Sequence, residues 1–142
     1  MTPPANRPAR GLLDTSTLLL LPQLPDATAL PVEPLISTIT LAELSVGPLV
    51  ARTEAERAAR QAHLQQAEAD FDPLPFDAAA ARAFGQVAAA LRQAGRKPAA
   101  RSYDAMIAAV AIAHDLPLFT SNVHDFAAIV QLPVIEVPHP TR

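Results

Sequence analysis

The sequence predicts an α/β fold in which helices cover both faces of a parallel central sheet. Two observations carry this prediction. Short apolar segments alternate along the chain with helical segments, and that alternation is typical of a parallel sheet. Four acidic residues, Asp14, Glu43, Asp104 and Asp125, also stand where a predicted strand passes into a helix. Functional groups of open α/β sheets collect beyond the carboxyl ends of the strands, so the placement of these acids fits the same fold.

Length and composition favour a single globular domain without disulfides. The chain has 142 residues, of which 50% are hydrophobic, and it contains no cysteine. A chain of this size buries enough surface to form a core on its own, and the absence of cysteine excludes disulfides and cysteine-based zinc sites. We expect a flexible tail over residues 1–10, one domain over 11–138 and a short tail over 139–142.

Charge and hydropathy narrow the class of protein. The formal net charge is −3, which gives no global sign of a nucleic-acid-binding protein. The first eleven residues, MTPPANRPARG, have no apolar core and are not a signal peptide, and no apolar run reaches the length of a membrane span. The sequence therefore predicts a cytoplasmic protein with no membrane partner.

The strands are predicted from short apolar segments. They are expected at residues 11–14, 35–38, 117–121 and 133–137. Residues 71–76 contain two prolines, so they are at most an edge strand.

The helices are predicted from capping residues and apolar periodicity. A short helix carries the leucines at 18–21, an alanine-rich helix runs from Asp77 to near Gly95, and Ser102 caps a helix through His114. A short helix is expected to start at Asp125.

Two capping boxes predict a protruding αα-hairpin over residues 40–69. Thr40 and Glu43 have the spacing of one box, and Thr53 and Glu56 have the spacing of the other.

Each acid has a structural explanation that competes with a functional one. Asp14 and Asp125 suit turns or helix caps, and Glu43 suits the third position of a capping box. Asp104 is different, because the residues three, four and seven positions later are apolar or small, which places it at the rim of a buried helix face. A carboxylate there needs a partner.

Taken together, the four acids predict a metal site. Two carboxylates ~4 Å apart repel by roughly 4 kcal/mol at an effective dielectric near 20. A divalent cation between them removes that penalty, and carboxylate and water oxygens suit Mg²⁺, with Mn²⁺ as a substitute. Isolated glycines argue against a dinucleotide-binding loop, and Ser16 stands where a haloacid-dehalogenase-type phosphatase has a second aspartate.

The sequence resembles the PIN-domain ribonucleases, and specifically the VapC-type toxins of bacterial toxin–antitoxin pairs. The resemblance covers residues 11–137 and rests on LLDTS at 12–16, STITLAEL at 37–44 and YDAMIAAVAIAHDLPLFTSNVHDF at 103–126. The last segment is the most specific. It has an aspartate at the start of an alanine-rich helix, then a strand ending in threonine, and then the pattern N-x-x-D-F.

The resemblance implies a single PIN-like domain and assigns residues to its site. Asp14, Glu43 and Asp104 match the first three acids of the family, and the fourth falls on Asn122 or Asp125, of which we favour Asp125. These four carboxylates are the expected catalytic and metal-binding residues. Three further polar residues are expected to orient them from nearby: Ser16, Thr120 and Asn122.

The implied activity is Mg²⁺-dependent hydrolysis of RNA phosphodiester bonds, with one ion or two. The resemblance suggests transfer RNA or ribosomal RNA as substrate, a cognate VapB-type antitoxin as inhibitor and a homodimer as the assembly. The αα-hairpin would be the apolar docking surface for the antitoxin. A group of cations preceding Asp104 is expected to bind the RNA backbone. It consists of Arg92, Arg96, Lys97 and Arg101.

Two questions stay open at this level. His114 and His124 are candidates for a general base, and we assign catalysis to neither. The rival interpretation is a PIN-like module that binds RNA or protein without cutting, and the neutral Asn122 supports it.

Overall fold

The computed structural model describes residues 8–97 and 102–141, and its core is a four-stranded parallel sheet. The strand order is β2-β1-β3-β4, and every neighbouring pair is parallel. The strands are β1 (Arg10–Leu13), β2 (Glu33–Leu35), β3 (Leu118–Thr120) and β4 (Val134–Glu136).

The segment after β2 carries one further pairing at the edge of the sheet. Ser37 forms a parallel bridge with Leu74, in which the Thr38 N–H donates to the Leu74 carbonyl and the Leu74 N–H donates to the Ile36 carbonyl, both at 2.9 Å. Prolines flank Leu74 on both sides and have no N–H to extend the ladder. Residues 71–76 therefore contribute a single edge position, as their prolines predicted.

Helices cover both faces of this sheet. They are α1 (Thr15–Leu20), α2 (Thr38–Val46), α3 (Glu54–Asp70), α4 (Ala78–Gln93) and α5 (Ser102–Ala113). Short 3₁₀ turns lie between helices at Leu21–Gln23, Ala27–Ala29 and Gly47–Val50, and another lies between β3 and β4 at Val123–Phe126.

The core has two halves, one on each face of the sheet. Leu12 and Leu118 belong to the cluster that includes α4 and α5, whereas Leu13 and Phe119 belong to the cluster that includes α1, α2 and α3. Consecutive residues of a strand point to opposite faces, so this division confirms the predicted three-layer α/β/α arrangement.

The helix caps agree with the sequence in two cases. The Thr53 hydroxyl accepts from the Glu56 N–H at 3.1 Å and begins α3, and the Asp77 carboxylate accepts from the Ala80 N–H at 3.0 Å and begins α4. After α4, Gly95 has φ 77°, the left-handed conformation that favours glycine at this position.

Two predicted helix starts are wrong. Helix α2 begins at Thr38, and the Ser37 hydroxyl caps it by accepting from the Thr40 N–H at 3.3 Å. The Thr40–Glu43 capping box therefore does not exist, because strand pairing brings the chain to the end of the sheet at Ser37 and the helix starts there. The turn after β3 also starts earlier than predicted, at Val123 rather than at Asp125.

The αα-hairpin is present and consists of α2, the turn at Gly47–Val50 and α3. Its tip exposes Leu49 and Val50, whose accessible fractions are 86% and 61%. Within the described residues, none of the helices is long and apolar enough to span a membrane.

Candidate active site

All four predicted acids line one cleft at the carboxyl end of the sheet. The cleft has a volume of about 320 Å³. Its lining contains Asp14, Glu43, Asp104 and Asp125 together with Thr15, Ser16, Leu19 and Asn122. The strand order explains the convergence, because β1 lies between β2 and β3. Asp14 follows β1 in the middle, Glu43 lies on the helix after β2, and Asp125 lies in the turn after β3.

Asp14 is buried and held through both carboxylate oxygens. It is 3% exposed, and one carboxylate oxygen accepts from the Thr17 N–H at 3.2 Å. The other oxygen accepts from the Thr120 hydroxyl at 2.8 Å and from the Ser16 hydroxyl at 3.3 Å. Asp14 therefore caps helix α1, which is the structural role that the sequence suggested for it, and it also lines the acidic cleft.

Glu43 is held by a hydroxyl relay that the sequence did not reveal. The Thr15 hydroxyl donates to Glu43 Oε1 at 2.7 Å, and Thr15 Oγ1 lies 2.9 Å from Thr40 Oγ1. Each hydroxyl has one proton, so Thr40 donates to Thr15, which donates to Glu43. The relay fixes one oxygen of Glu43 beside Asp14.

The pKa of Glu43 lies above its usual value of 4.5. Burial is the largest cause, and the negative charge of Asp14 adds to it, whereas the hydrogen bond from Thr15 lowers the pKa. A neighbouring negative charge disfavours the charged form of a carboxyl group, so the position of Asp14 across the cleft acts on the pKa of Glu43 in the same direction as burial.

Asn122 and Asp125 both line the cleft, so the structure brings both candidates for the fourth acid to the site. The Asn122 side chain donates from Nδ2 to the Ser16 hydroxyl at 3.0 Å, and its backbone N–H donates to Thr120 Oγ1 at 2.9 Å. Asn122 therefore contacts the two hydroxyls that hold Asp14, whereas Asp125 provides the charge.

Asp104 reaches the cleft from the first turn of α5. The helix behind it is buried at Ile107, Ala108 and Ala111, so Asp104 stands at the rim of the buried face as its sequence neighbours predicted. A carboxylate in the first helical turn is also favoured by the helix dipole.

The oxygen atoms that line the cleft suit a hard cation but do not form a complete coordination sphere. Carboxylate, amide and hydroxyl oxygens line the cleft, and these are the ligands that Mg²⁺ prefers. In the part of the chain that the structure describes, no three His, Cys, Asp or Glu side chains form a group able to hold a metal ion by themselves. Mg²⁺ is commonly bound through one or two carboxylates with several waters retained, so the chemistry of this cleft fits it.

The predicted basic residues do not share one location. Arg96 Nη2 lies 3.1 Å from Nε2 of His124, next to Asp125, so Arg96 stands near the cleft. Arg92 lies on an outer face of α4, beside Gly85 and Ala88. Lys97 is exposed, and Arg101 lies outside the described residues.

Neither candidate histidine lines the acidic cleft. Arginine has no acceptor, so His124 Nε2 accepts from Arg96 and its lone pair is engaged. His114 follows the last turn of α5, and its Nε2 is buried without a hydrogen-bond partner among the described residues.

The sequence did not predict the role of Thr15 and Thr40 in holding Glu43. A signal was present, because Thr40 and Glu43 are three positions apart and face the same side of a helix. The capping-box pattern assigned Thr40 to another role, and no local pattern shows that Thr15, 25 positions earlier, completes the relay.

Comparisons with a family model and with curated proteins indicate the same family. The PIN domain family matches residues 12–131. Ribonuclease VapC5 of Mycobacterium tuberculosis is 39% identical over 133 residues, which cover 92% of this chain and 95% of that protein.

Solved structures show the same fold. A member of the VapBC family of toxin–antitoxin systems from M. tuberculosis, VapBC-5, matches with TM-score 0.78 and 37% identity over 92% of this chain and 100% of the other. DNA-bound VapBC from Salmonella typhimurium matches with TM-score 0.71 and 25% identity, covering 90% and 98% of the two chains.

Proposed function

Because the chain belongs to the VapC family of PIN-domain proteins, we propose that it is a metal-dependent endoribonuclease and the toxin of a type II toxin–antitoxin pair. The observation that carries the proposal is the convergence of Asp14, Glu43, Asp104 and Asp125 on one cleft in a chain that resembles a named ribonuclease.

Asp14 and Asp104 are the proposed direct ligands of Mg²⁺, with Mn²⁺ as a substitute. Glu43 and Asp125 complete the site directly or through water. A cation bound there would lower the pKa of water and stabilise charge on the scissile phosphate. Thr120 and Ser16 orient one oxygen of Asp14 by hydrogen bonding from the sheet side and from α1, and the Thr17 N–H orients the other.

Glu43 is proposed to orient the attacking water. Thr15 occupies Oε1, and Oε2 has no partner among the described residues, so that oxygen is available to water. An ionised carboxylate oxygen within hydrogen-bond reach of water can orient it and accept its proton.

The proposed substrate is a structured RNA, either transfer RNA or ribosomal RNA. Phosphate contacts dominate the affinity of such complexes, and Arg96 stands beside the cleft to supply one. Arg92, Lys97 and Arg101, which are near Arg96 in the sequence, remain proposed RNA contacts.

The proposed inhibitor is a VapB-type antitoxin, and the proposed assembly is a homodimer in the cytoplasm. Solved relatives are described as members of toxin–antitoxin systems, which supports a protein partner. An apolar pocket of about 350 Å³ between α1 and α3, bordered by Leu18, Leu21 and Phe71, lies beside the αα-hairpin. Together with the exposed Leu49 and Val50 at the hairpin tip, it is the proposed docking surface.

Inducible expression tests the toxin function. Wild type is expected to arrest growth, and Asp14→Asn is expected to leave growth unchanged at equal protein level, because Asn cannot supply the charge at the centre of the cleft. RNA sequenced from the arrested cells should show discrete new 5′ ends that are absent with the variant. Normal growth with soluble wild-type protein would contradict the toxin function.

Thermal unfolding with added Mn²⁺ distinguishes the nuclease from an inert PIN-like module, which the neutral Asn122 would suit. A ligand that binds only the folded state at 100 times its Kd stabilises by about 2.7 kcal/mol. Wild type should therefore melt several degrees higher in Mn²⁺, and Asp104→Asn should not. Equal curves with and without Mn²⁺ in both proteins would support the inert module.

A further inference from the structure

A second pocket adjoins the acidic cleft on the side of Glu43. It has a volume of about 220 Å³ and shares Thr15, Leu19 and Glu43 with the cleft. Its far wall comes from α3 and contains Arg60 and His63. A chain bound at the acids can therefore continue into this pocket without leaving the surface of the protein.

Arg60 is a positioned cation in this pocket. Its Nη1 donates to the Gly47 carbonyl at 2.9 Å, and its Nη2 pairs with Glu56 one turn earlier on α3. These contacts explain the arrangement of the side chain, but they use only two of the five N–H donors of a guanidinium. The side chain remains 37% exposed, so donors are left for a ligand in the pocket.

His63 lies one turn after Arg60 on α3 and lines the same pocket. It is exposed, and none of its atoms has a hydrogen-bond partner or an ion-pair partner among residues 8–97 and 102–141. It borders both this pocket and the apolar pocket between α1 and α3. A polar ring in that position is able to contact a ligand that extends past Arg60.

An arginine and a histidine also stand on the opposite side of the cleft. Arg96 bonds to His124, next to Asp125. Asp125 lies on the β3 side of Asp14 and Glu43 lies on the β2 side, because β1 separates those strands. A polyanion is repelled by the acids except where a cation is bound, so cations on both sides favour a strand that crosses the cleft along the edge of the sheet.

We propose that Arg60 and His63 form a phosphate-binding subsite that holds the RNA strand on the β2 side of the scissile bond. The inference rests on the proposed ribonuclease function. Arg60 binds a phosphate oxygen with its remaining donors, since the planar guanidinium suits phosphate geometry. His63 contacts the adjacent nucleotide, and Arg96 holds the strand on the β3 side.

Binding of fluorescently labelled bulk transfer RNA tests the subsite independently of cleavage. The measurements use the Asp14→Asn background, so the RNA stays intact, and they follow Kd from 50 to 300 mM salt. Loss of one phosphate contact reduces the slope of log K against log salt by about 0.7 to 0.9. At 0.15 M salt that slope corresponds to roughly four- to fivefold weaker binding for Arg60→Gln.

Arg57→Gln is the matched control, because Arg57 lies on the same helix and pairs with Glu54 but does not line the pocket. It should leave the slope unchanged. His63→Gln leaves the contacts of Arg60 to Gly47 and Glu56 intact, so weaker binding by this variant supports the subsite even if Arg60→Gln unfolds.

Two outcomes would overturn the subsite. One is equal affinity and slope for the Arg57, Arg60 and His63 variants, which would leave the nuclease function intact. The other is unchanged RNA binding with weakened binding of a co-expressed antitoxin, which would assign the pocket to a protein partner. A weaker Arg60→Gln complex in a protein that never cuts RNA would support the subsite and contradict the nuclease.

Discussion

Replacement of Thr15 by valine tests whether the hydroxyls of Thr15 and Thr40 hold the Glu43 carboxylate in its position in the cleft. Valine has the shape of threonine but removes the donor to Glu43 and the acceptor for Thr40. The lost bond to a charged, half-buried carboxylate contributes about 1.5 kcal/mol, and the buried Thr40 hydroxyl left without its acceptor costs about 1 kcal/mol more. We therefore expect the free energy of unfolding to fall by about 2.5 kcal/mol, or roughly 8 °C in Tm.

The same replacement should change the pH dependence of RNA cleavage. The hydrogen bond from Thr15 lowers the pKa of Glu43, so its removal raises that pKa further. The charged form is then lost at higher pH, and the acid limb of the kcat/KM profile shifts upward. Displacement of the carboxylate should also lower kcat, by roughly 10- to 100-fold.

Thr15→Ser is the matched control for both measurements. Serine retains the hydroxyl and loses only a methyl group, so its acid limb and its kcat should stay close to wild type. A Thr15→Val protein with the Tm and the pH profile of Thr15→Ser would refute the role assigned to the relay.

Two further predictions concern stability. Glu43→Gln should stabilise the metal-free protein at pH 7. The pKa of Glu43 in the folded protein lies above its usual value of 4.5, so the charged carboxylate lowers the free energy of unfolding. This loss of stability disappears below the pKa of Glu43 in the unfolded chain, where the carboxyl is protonated in both states. Thermal melts at pH 7 and pH 4 check this, and an equal gain at both would contradict it. Within α4, Gly85 faces open space, so Gly85→Ala should stabilise by about 0.5–1 kcal/mol. Gly95→Ala should destabilise by about 1 kcal/mol, because φ is 77° there. Urea unfolding measures both glycine variants, and a change in the free energy of unfolding of the same sign for both would contradict these conformations.

The layers of the fold could be predicted from the sequence because each one has a local signal. The apolar pairs Leu12–Leu13 and Leu118–Phe119 indicate strands buried on both faces, and the two core clusters divide them as a parallel sheet requires. Asp77 and Thr53 each cap a helix where the capping residues predict it. These features depend on a few adjacent residues.

The arrangement within the site could be predicted only in part. The order of the four acids predicts that they share one edge of the sheet, and the cleft contains all of them. The bonds that hold them join distant segments, such as Thr120 to Asp14 and Thr15 to Glu43. The capping-box pattern at Thr40 was misleading because Ser37, three residues earlier, already provides the cap. Spacing alone cannot distinguish a cap from a residue that bonds across the fold.

The proposed activity is cleavage of RNA at the carboxylate cleft centred on Asp14, with the help of a divalent cation. The most direct measurement incubates antitoxin-free protein with total cellular RNA and Mg²⁺ or Mn²⁺, alongside EDTA and the Asp14→Asn variant. We predict discrete fragments with wild type and metal, and intact RNA in EDTA and with the variant. Intact RNA from folded wild-type protein that binds Mn²⁺, or the same fragments from Asp14→Asn, would contradict this proposal.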